Sequence, residues 1–171
     1  MYYYRVSKYN PKLRDSFGNY LADDWTSYSD IGKMYLGKKL TFEEYKKVEL
    51  SYIKFVLFSM KKTNIKHLKI EKLEKYADRE GISTLSLESE MLYNRIKINY
   101  LVGVNELSRV LELQLRDFIW TKLTSDNLTI DFGYDYYMYV TSKQMIPYFH
   151  NSKFGKNIYI EENIKSPYTD I

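Results

Sequence analysis

The sequence predicts an α+β fold in a single domain, 1–171, mostly antiparallel sheet with two main helices at about 41–62 and 105–123. Three observations carry that expectation. Several segments alternate apolar and polar residues with the period of a half-buried strand. Two longer segments repeat apolar residues at the three-and-four spacing of an amphipathic helix. The strands come in groups between the helices rather than in strict strand–helix alternation.

In chain order, YYYRVSKY at residues 2–9 is rich in aromatic and β-branched types and stops at the turn dipeptide Asn10-Pro11, which predicts a strand. Residues 11–30 carry Pro11, Gly18 and several Asp and Ser residues. They read as a long surface excursion in which Tyr20 and Leu21 can begin a short strand, and loops of that length are often functional. Thr41-Phe42-Glu43-Glu44 is a capping box, with Leu40 and Tyr45 at the positions of a hydrophobic staple. Phe42, Tyr45, Val48, Tyr52, Ile53, Val56 and Met60 then recur at helical spacing to about Lys62.

HLKIEKL, from His67 to Leu73, suits a strand. Residues 77–92 give mixed signals, and GISTLSLESE fits a strand or an irregular segment. RIKINYLV, residues 95–102, alternates Ile96, Ile98 and Tyr100 against Arg95, Lys97 and Asn99, a strand ended by Gly103. Asn105 can cap the second helix, whose apolar face holds Leu107, Val110, Leu111, Leu115, Phe118 and Ile119, widened by Leu113 and Trp120.

From Leu128 to Val140 the even positions are apolar or aromatic: Leu128, Ile130, Phe132, Tyr134, Tyr136, Met138 and Val140. This places the even aromatics in the core and Asp131, Asp135, Tyr137 and Tyr139 on the other face. A two-residue hairpin at Gly133 would break the parity. One long strand bent at Gly133, or a hairpin with an odd-numbered loop, keeps it. SKQMIPYFH, residues 142–150, reads as a short helical segment interrupted at Pro147. NIYIEEN reads as a strand and KSPYTDI as an extended end.

Composition excludes several classes. With 44% hydrophobic and 28% charged residues, the chain is that of a globular protein rather than a disordered one. The run from Tyr52 to Met60 is interrupted by Lys54 and falls short of the roughly 20 apolar residues a membrane span needs. MYYYRVSKYN lacks the apolar core of a secretory signal. The absence of cysteine removes disulfides, thiolate metal sites and a cysteine nucleophile. A cytoplasmic location is expected. The net charge of +4 comes from interspersed charges, as in EEYKKVE, which argues against a dedicated nucleic-acid binder. The 19 tyrosines suit half-buried positions and interfaces, although a codon bias would enrich them equally.

No motif supplies chemistry. Asp131-Phe132-Gly133 matches the magnesium-binding tripeptide of protein kinases, but no glycine-rich loop, β3 lysine or HRD loop accompanies it. His67 and His150 lack metal-ligand spacing, so no catalytic residue, metal ligand or cofactor is assigned. Along one strand Asp131 and Asp135 would stand ~13 Å apart, too far to act as a pair. DFGYDYYMYV has the aromatics of an RNA-binding platform, but its carboxylates would repel phosphate. An RNA-associated domain is the second reading, and a metal-dependent hydrolase the third.

Four segments together carry a resemblance: YYYRVSKYNPKLRDSFGNYLADDWTSYSDIGK, LQLRDFIWTKL, DFGYDYYMYV and IYIEENIKSPY. The set resembles a group of small bacterial proteins, some associated with polymorphic-toxin immunity. The resemblance implies a stoichiometric inhibitor that occludes the active site of a cognate toxin or locks it in an inactive form. Such a function needs rigid aromatic anchors and complementary charge. The candidates are Asp23, Asp24, Trp25, Tyr28 and Asp30 in the long excursion, and Asp131, Tyr134, Asp135 and Tyr137 around the tyrosine-rich segment. Carboxylates there can mimic phosphates towards a basic nuclease cleft. For Trp25, a ring that pins the excursion to the core is an equal alternative.

Overall fold

The computed structural model describes residues 1–76, 79–147 and 157–168. It begins with β1 (Tyr2–Ser7), followed by single 3-10 turns at Pro11–Leu13 and Tyr28–Asp30. The small pair β2 (Met34–Tyr35) and β3 (Lys38–Lys39) leads into α1 (Phe42–Lys62) and β4 (His67–Lys75). Next come α2 (Arg79–Ser83), α3 (Leu87–Arg95), β5 (Leu101–Gly103) and α4 (Val104–Leu115). The chain continues with β6 (Ile119–Thr124), β7 (Leu128–Phe132), β8 (Met138–Ser142) and β9 (Tyr159–Glu162). Among the described residues, seven strands form one sheet in the order β5-β4-β6-β7-β8-β1-β9, antiparallel throughout. The α+β class with a dominant antiparallel sheet is as the sequence predicts. Among the described residues no helix is long and apolar enough to cross a membrane.

The capping box of α1 forms as expected. Thr41 Oγ1 accepts the Glu44 N–H at 3.2 Å, and Glu44 Oε2 accepts the Thr41 N–H at 3.1 Å. The helix ends in a Schellman turn: Asn64 takes φ +55, and the Ile65 N–H reaches back to the Met60 carbonyl at 2.8 Å.

The second main helix is shorter than the expected 105–123, and the same physics explains why. Asp117 adopts φ +62, the Phe118 N–H donates to the Leu113 carbonyl at 3.0 Å, and the Asp117 N–H donates to that of Gln114 at 3.3 Å. This Schellman turn stops α4 at Leu115. Phe118 and Ile119 extend the helical spacing by coincidence. From Ile119 the period is two, with Ile119, Thr121 and Leu123 inward and Trp120 and Lys122 on the opposite face.

Three more expectations are corrected. Residues 87–95 are helical rather than extended: Ser86 Oγ accepts the Ser89 N–H at 3.3 Å, and Glu88 and Glu90 occupy the favourable first turn. Leu92 and Tyr93 are buried while Leu87 and Met91 are exposed, which blurs the amphipathic pattern. Of residues 95–102, only Leu101 and Val102 are in a strand. Asn99 turns at φ +67, and its N–H donates to the Ile70 carbonyl at 2.7 Å, so Ile96 is buried and Ile98 exposed. Residues 143–147 are not helical, the Gln144 N–H instead donating to Ser142 Oγ at 3.1 Å; residues 148–150 lie outside the described residues. Tyr20 contributes a single antiparallel bridge to Arg14.

The tyrosine-rich segment is a hairpin with an odd-numbered loop. Phe132 pairs with Met138 across residues 133–137, and Leu128, Ile130, Phe132, Met138 and Val140 all enter the core with α1 and α4. The opposite face of the sheet carries a polar row. Lys72 pairs with Lys122, Asp131 with Tyr139, Tyr139 with Arg5, and Arg5 with Glu161. Residues directly opposite in register point to the same side. The segment after β9 returns over this face, with Ser166 and Tyr168 seated near Asp131 and Gly133.

Candidate functional site

Within the long excursion, Trp25 is 7% exposed. Its ring lies 5.4 Å from that of Tyr45 and 4.9 Å from that of Tyr136, with the Lys8 ammonium 4.3 Å from its centroid. Asp24 pairs with Lys8 at 2.6 Å and accepts the Trp25 N–H at 2.9 Å. Burial between the Tyr9 and Trp25 rings pulls the Lys8 ammonium down to about 8 against the pull of Asp24. Asp30 is buried and organises its own turn, accepting from the N–H groups of Thr26 and Ser27 at 2.8 and 3.2 Å and from Lys33 Nζ at 2.7 Å. Its burial raises the carboxyl pKa, but Lys33 and these N–H groups outweigh that and hold it at about 2. Tyr28 is half-buried, with its ring 5.1 Å from that of Tyr45. Asp23 is exposed. The excursion is therefore nailed down by Trp25, Asp24, Tyr28 and Asp30, and Asp23 stands at its surface.

The hairpin divides its candidates differently. Asp135 and Tyr136 take φ +54 and +63, in a turn closed by the Tyr137 N–H to the Tyr134 carbonyl at 3.2 Å and the Gly133 N–H to the Tyr137 carbonyl at 2.9 Å. A bulky residue at positive φ is strained. Tyr136 is held there because its ring is buried and its hydroxyl donates to that of Tyr45 at 2.7 Å. Tyr134 consequently points outward and is 82% exposed, where parity had placed it in the core. Asp135 is exposed beside it. Tyr137 is half-buried, its ring 5.2 Å from that of Tyr9, with the Arg5 and Arg14 guanidinium groups 5.6 and 5.4 Å from its centroid.

Asp131 does lie on the face opposite the core, but it does not meet solvent. It is 2% exposed because the C-terminal segment covers it. Oδ2 accepts the Ser166 hydroxyl at 3.0 Å and stands 4.0 Å from Lys122 Nζ, while Oδ1 has no hydrogen-bond partner. Burial holds the carboxyl above the usual aspartate range, with Lys122 and Ser166 only partly offsetting it.

Two clefts meet at this hairpin and share Tyr76, Trp120, Phe132, Gly133 and Tyr134 as a common wall. One, of 360 Å³, is completed by Lys72, Glu74, Lys122, Asp131 and Tyr168. The other, of 280 Å³, runs past Asp117, Asp135 and Tyr137 towards Thr26 and Ser27. Asp131 and Asp135 thus serve different clefts. The wall is rigid: the Trp120 indole N–H donates to the Phe132 carbonyl at 2.9 Å. Gly133 allows Tyr168 its close approach, since a Cβ there would meet that ring at 3.0 Å. A third cleft, of 320 Å³, lies beside α1 and places Asp24 and Trp25 next to Lys38, Lys39 and Lys47.

Sequence reasoning missed Trp120, Lys122, Tyr76 and Tyr168. Trp120 and Lys122 were assigned to a helix; the alternation of Ile119, Thr121 and Leu123 is the signal that would have put both on the outer sheet face. Among the described residues, no group of three His, Asp or Glu side chains stands close enough to hold a metal ion. His67 faces Gly103 at the β4–β5 edge, and His150 lies outside the described residues. The site offers flat aromatic walls, carboxylates and two lysines, a chemistry of recognition. No known protein family, curated protein or solved structure matches this chain.

Proposed function

We propose that this chain is a non-catalytic protein-binding module, an immunity-type inhibitor that blocks a cognate bacterial toxin in the cytoplasm. The observation that carries the reading is the presentation of Tyr134, 82% exposed on a turn whose neighbour Tyr136 is anchored in the core. A large ring held in place before binding loses little conformational freedom on association, which is the property of an interface hot spot. Asp135 beside it and Asp117 in the adjoining cleft provide negative charge on a chain of net charge +4, suited to a basic toxin surface. The resemblance carried by the four sequence segments points the same way.

The test is to purify this chain with the product of the gene directly upstream and measure their affinity, with Tyr134→Ala as the variant. The expected result is a one-to-one complex weakened about 30-fold by the variant, equivalent to roughly 2 kcal/mol. Separate elution of the two proteins, or a variant that binds like the original, would contradict the proposal. Complexes that contain RNA and dissolve at moderate salt would favour the RNA-associated reading instead.

A further inference from the structure

We propose that the 360 Å³ cleft over Asp131 is a guanidinium-binding site, in which an arginine side chain or a small free guanidinium compound lies against Trp120, Tyr134 and Tyr168 and donates to Asp131 Oδ1. This goes beyond the inhibitor reading and does not depend on it.

The first observation is the unpartnered oxygen. Asp131 is 2% exposed, lines the cleft, and spends its one hydrogen bond on Oδ2. A buried carboxylate oxygen without a donor is costly, so the cleft is organised for a guest that brings an N–H. The second observation is charge. Lys122 Nζ stands 3.5 Å from Glu71 and 4.0 Å from Asp131, so one ammonium is shared at long range between two carboxylates. Among the described residues, the cleft wall carries Glu74 and Asp131 beside Lys72 and Lys122, and Glu71 lies beyond the wall as the nearer partner of Lys122. The wall is neutral by count, but Lys122 is drawn closer to Glu71 than to Asp131, which leaves the Asp131 carboxylate incompletely compensated and open to a cationic guest.

The third observation is shape. Trp120 is fixed by its indole hydrogen bond, and the Tyr134 and Tyr168 rings stand 6.4 Å apart at 71°. Flat π-faces attract cations, and a planar, weakly hydrated guanidinium stacks on them while its edge donates to a carboxylate. A compact, strongly hydrated ammonium matches such walls less well. Gly133 shows that the wall depends on having no side chain there, because Tyr168 occupies the space a Cβ would need.

The experiment titrates the full chain with agmatine, with a Gly-Arg-Gly peptide, and with the citrulline and lysine counterparts of that peptide. Binding is read by calorimetry and by the Trp120 indole N–H signal, assigned with Trp120→Phe. The site predicts that agmatine or the arginine peptide binds and shifts the Trp120 signal. The citrulline peptide should bind at least tenfold more weakly, and Asp131→Asn should weaken guanidinium binding tenfold or more. Trp120→Phe, which keeps an aromatic wall, should weaken it less. Tighter binding of agmatine would identify a free small molecule as the source, and tighter binding of the peptide an arginine of a polypeptide. The proposal is overturned by no Trp120 shift at millimolar ligand, by citrulline or lysine peptides binding as tightly as the arginine peptide, or by indifference to Asp131→Asn.

Discussion

The Tyr136 hydroxyl donates to the Tyr45 hydroxyl at 2.7 Å, and Tyr45 donates in turn to the Leu115 carbonyl at 2.7 Å. This relay ties the left-handed turn of the β7–β8 hairpin to α1 and to the last residue of α4. Tyr52 reinforces it by donating to the Tyr136 carbonyl at 2.6 Å. The outward aim of Tyr134 therefore rests on a buried tyrosine cluster.

Replacing Tyr136 with Phe keeps the ring and removes one buried donor. The expected loss is about 1 kcal/mol of folding stability. Urea unfolding measures it directly, and an unchanged midpoint would show that the relay contributes nothing.

Glu49 is fully buried and receives both ends of the Arg116 guanidinium, at 2.7 and 2.9 Å, along with Lys46 at 2.5 Å. Arg116 also lies 5.8 Å from the Phe42 ring centroid and 5.9 Å from that of Tyr28. Arg116→Ala would leave Glu49 with Lys46 alone, and a destabilisation of about 3 kcal/mol is expected. Arg116→Lys, which cannot make the paired contact, should recover only part of that loss. Full recovery by lysine would mean that charge alone suffices.

Gly133→Ala places a methyl group 3.0 Å from the Tyr168 ring and 3.3 Å from that of Tyr139. The atoms met are side-chain atoms of Tyr168 and Tyr139, which can shift, so the variant should fold while its Tyr168 and Trp120 resonances move. Agmatine binding should weaken together with those shifts. Unperturbed resonances would show that Tyr168 is not seated on Gly133.

Alkaline pH separates two buried populations. Burial pushes the phenols of Tyr9, Tyr45, Tyr52 and Tyr136 above the usual tyrosine range. In the unfolded chain they titrate near pH ~10, so their contribution is fully present below that pH and is lost as pH rises above it. Lys8 has the opposite sign. Its folded pKa of about 8 lies below the unfolded value, so the unfolded chain binds more protons between these values and stability rises with pH across that window. Denaturation measured from neutral to strongly alkaline pH should show stability sustained to about pH 10 and then falling steeply. Phenolate absorbance should lag behind free tyrosine; complete ionisation near pH 10 in the folded protein would contradict the burial.

Much of the scaffold was legible because local and tertiary signals agreed. The capping box at Thr41 and Glu44 marked α1 to the residue, and the parity of Leu128 to Val140 gave the buried face of both hairpin strands. Legibility failed where a left-handed residue changed the period without a glycine to announce it. Asp117 ended α4 and hid β6, Asn99 interrupted the expected strand, and Asp135 with Tyr136 turned Tyr134 outward. The candidate site was half visible for a related reason. Asp131, Tyr134, Asp135 and Tyr137 fall in one short stretch of sequence, whereas Trp120, Lys122, Tyr76 and Tyr168 reach the same wall only through sheet register and the returning C-terminal segment.

The most direct measurement of the inhibitor role is survival of bacterial cells producing the protein encoded directly upstream, with and without this chain. The account predicts that the neighbour alone arrests growth, that this chain restores it, and that Tyr134→Ala restores it less well at equal expression. A neighbour harmless on its own, or toxicity that this chain leaves unchanged, would contradict it.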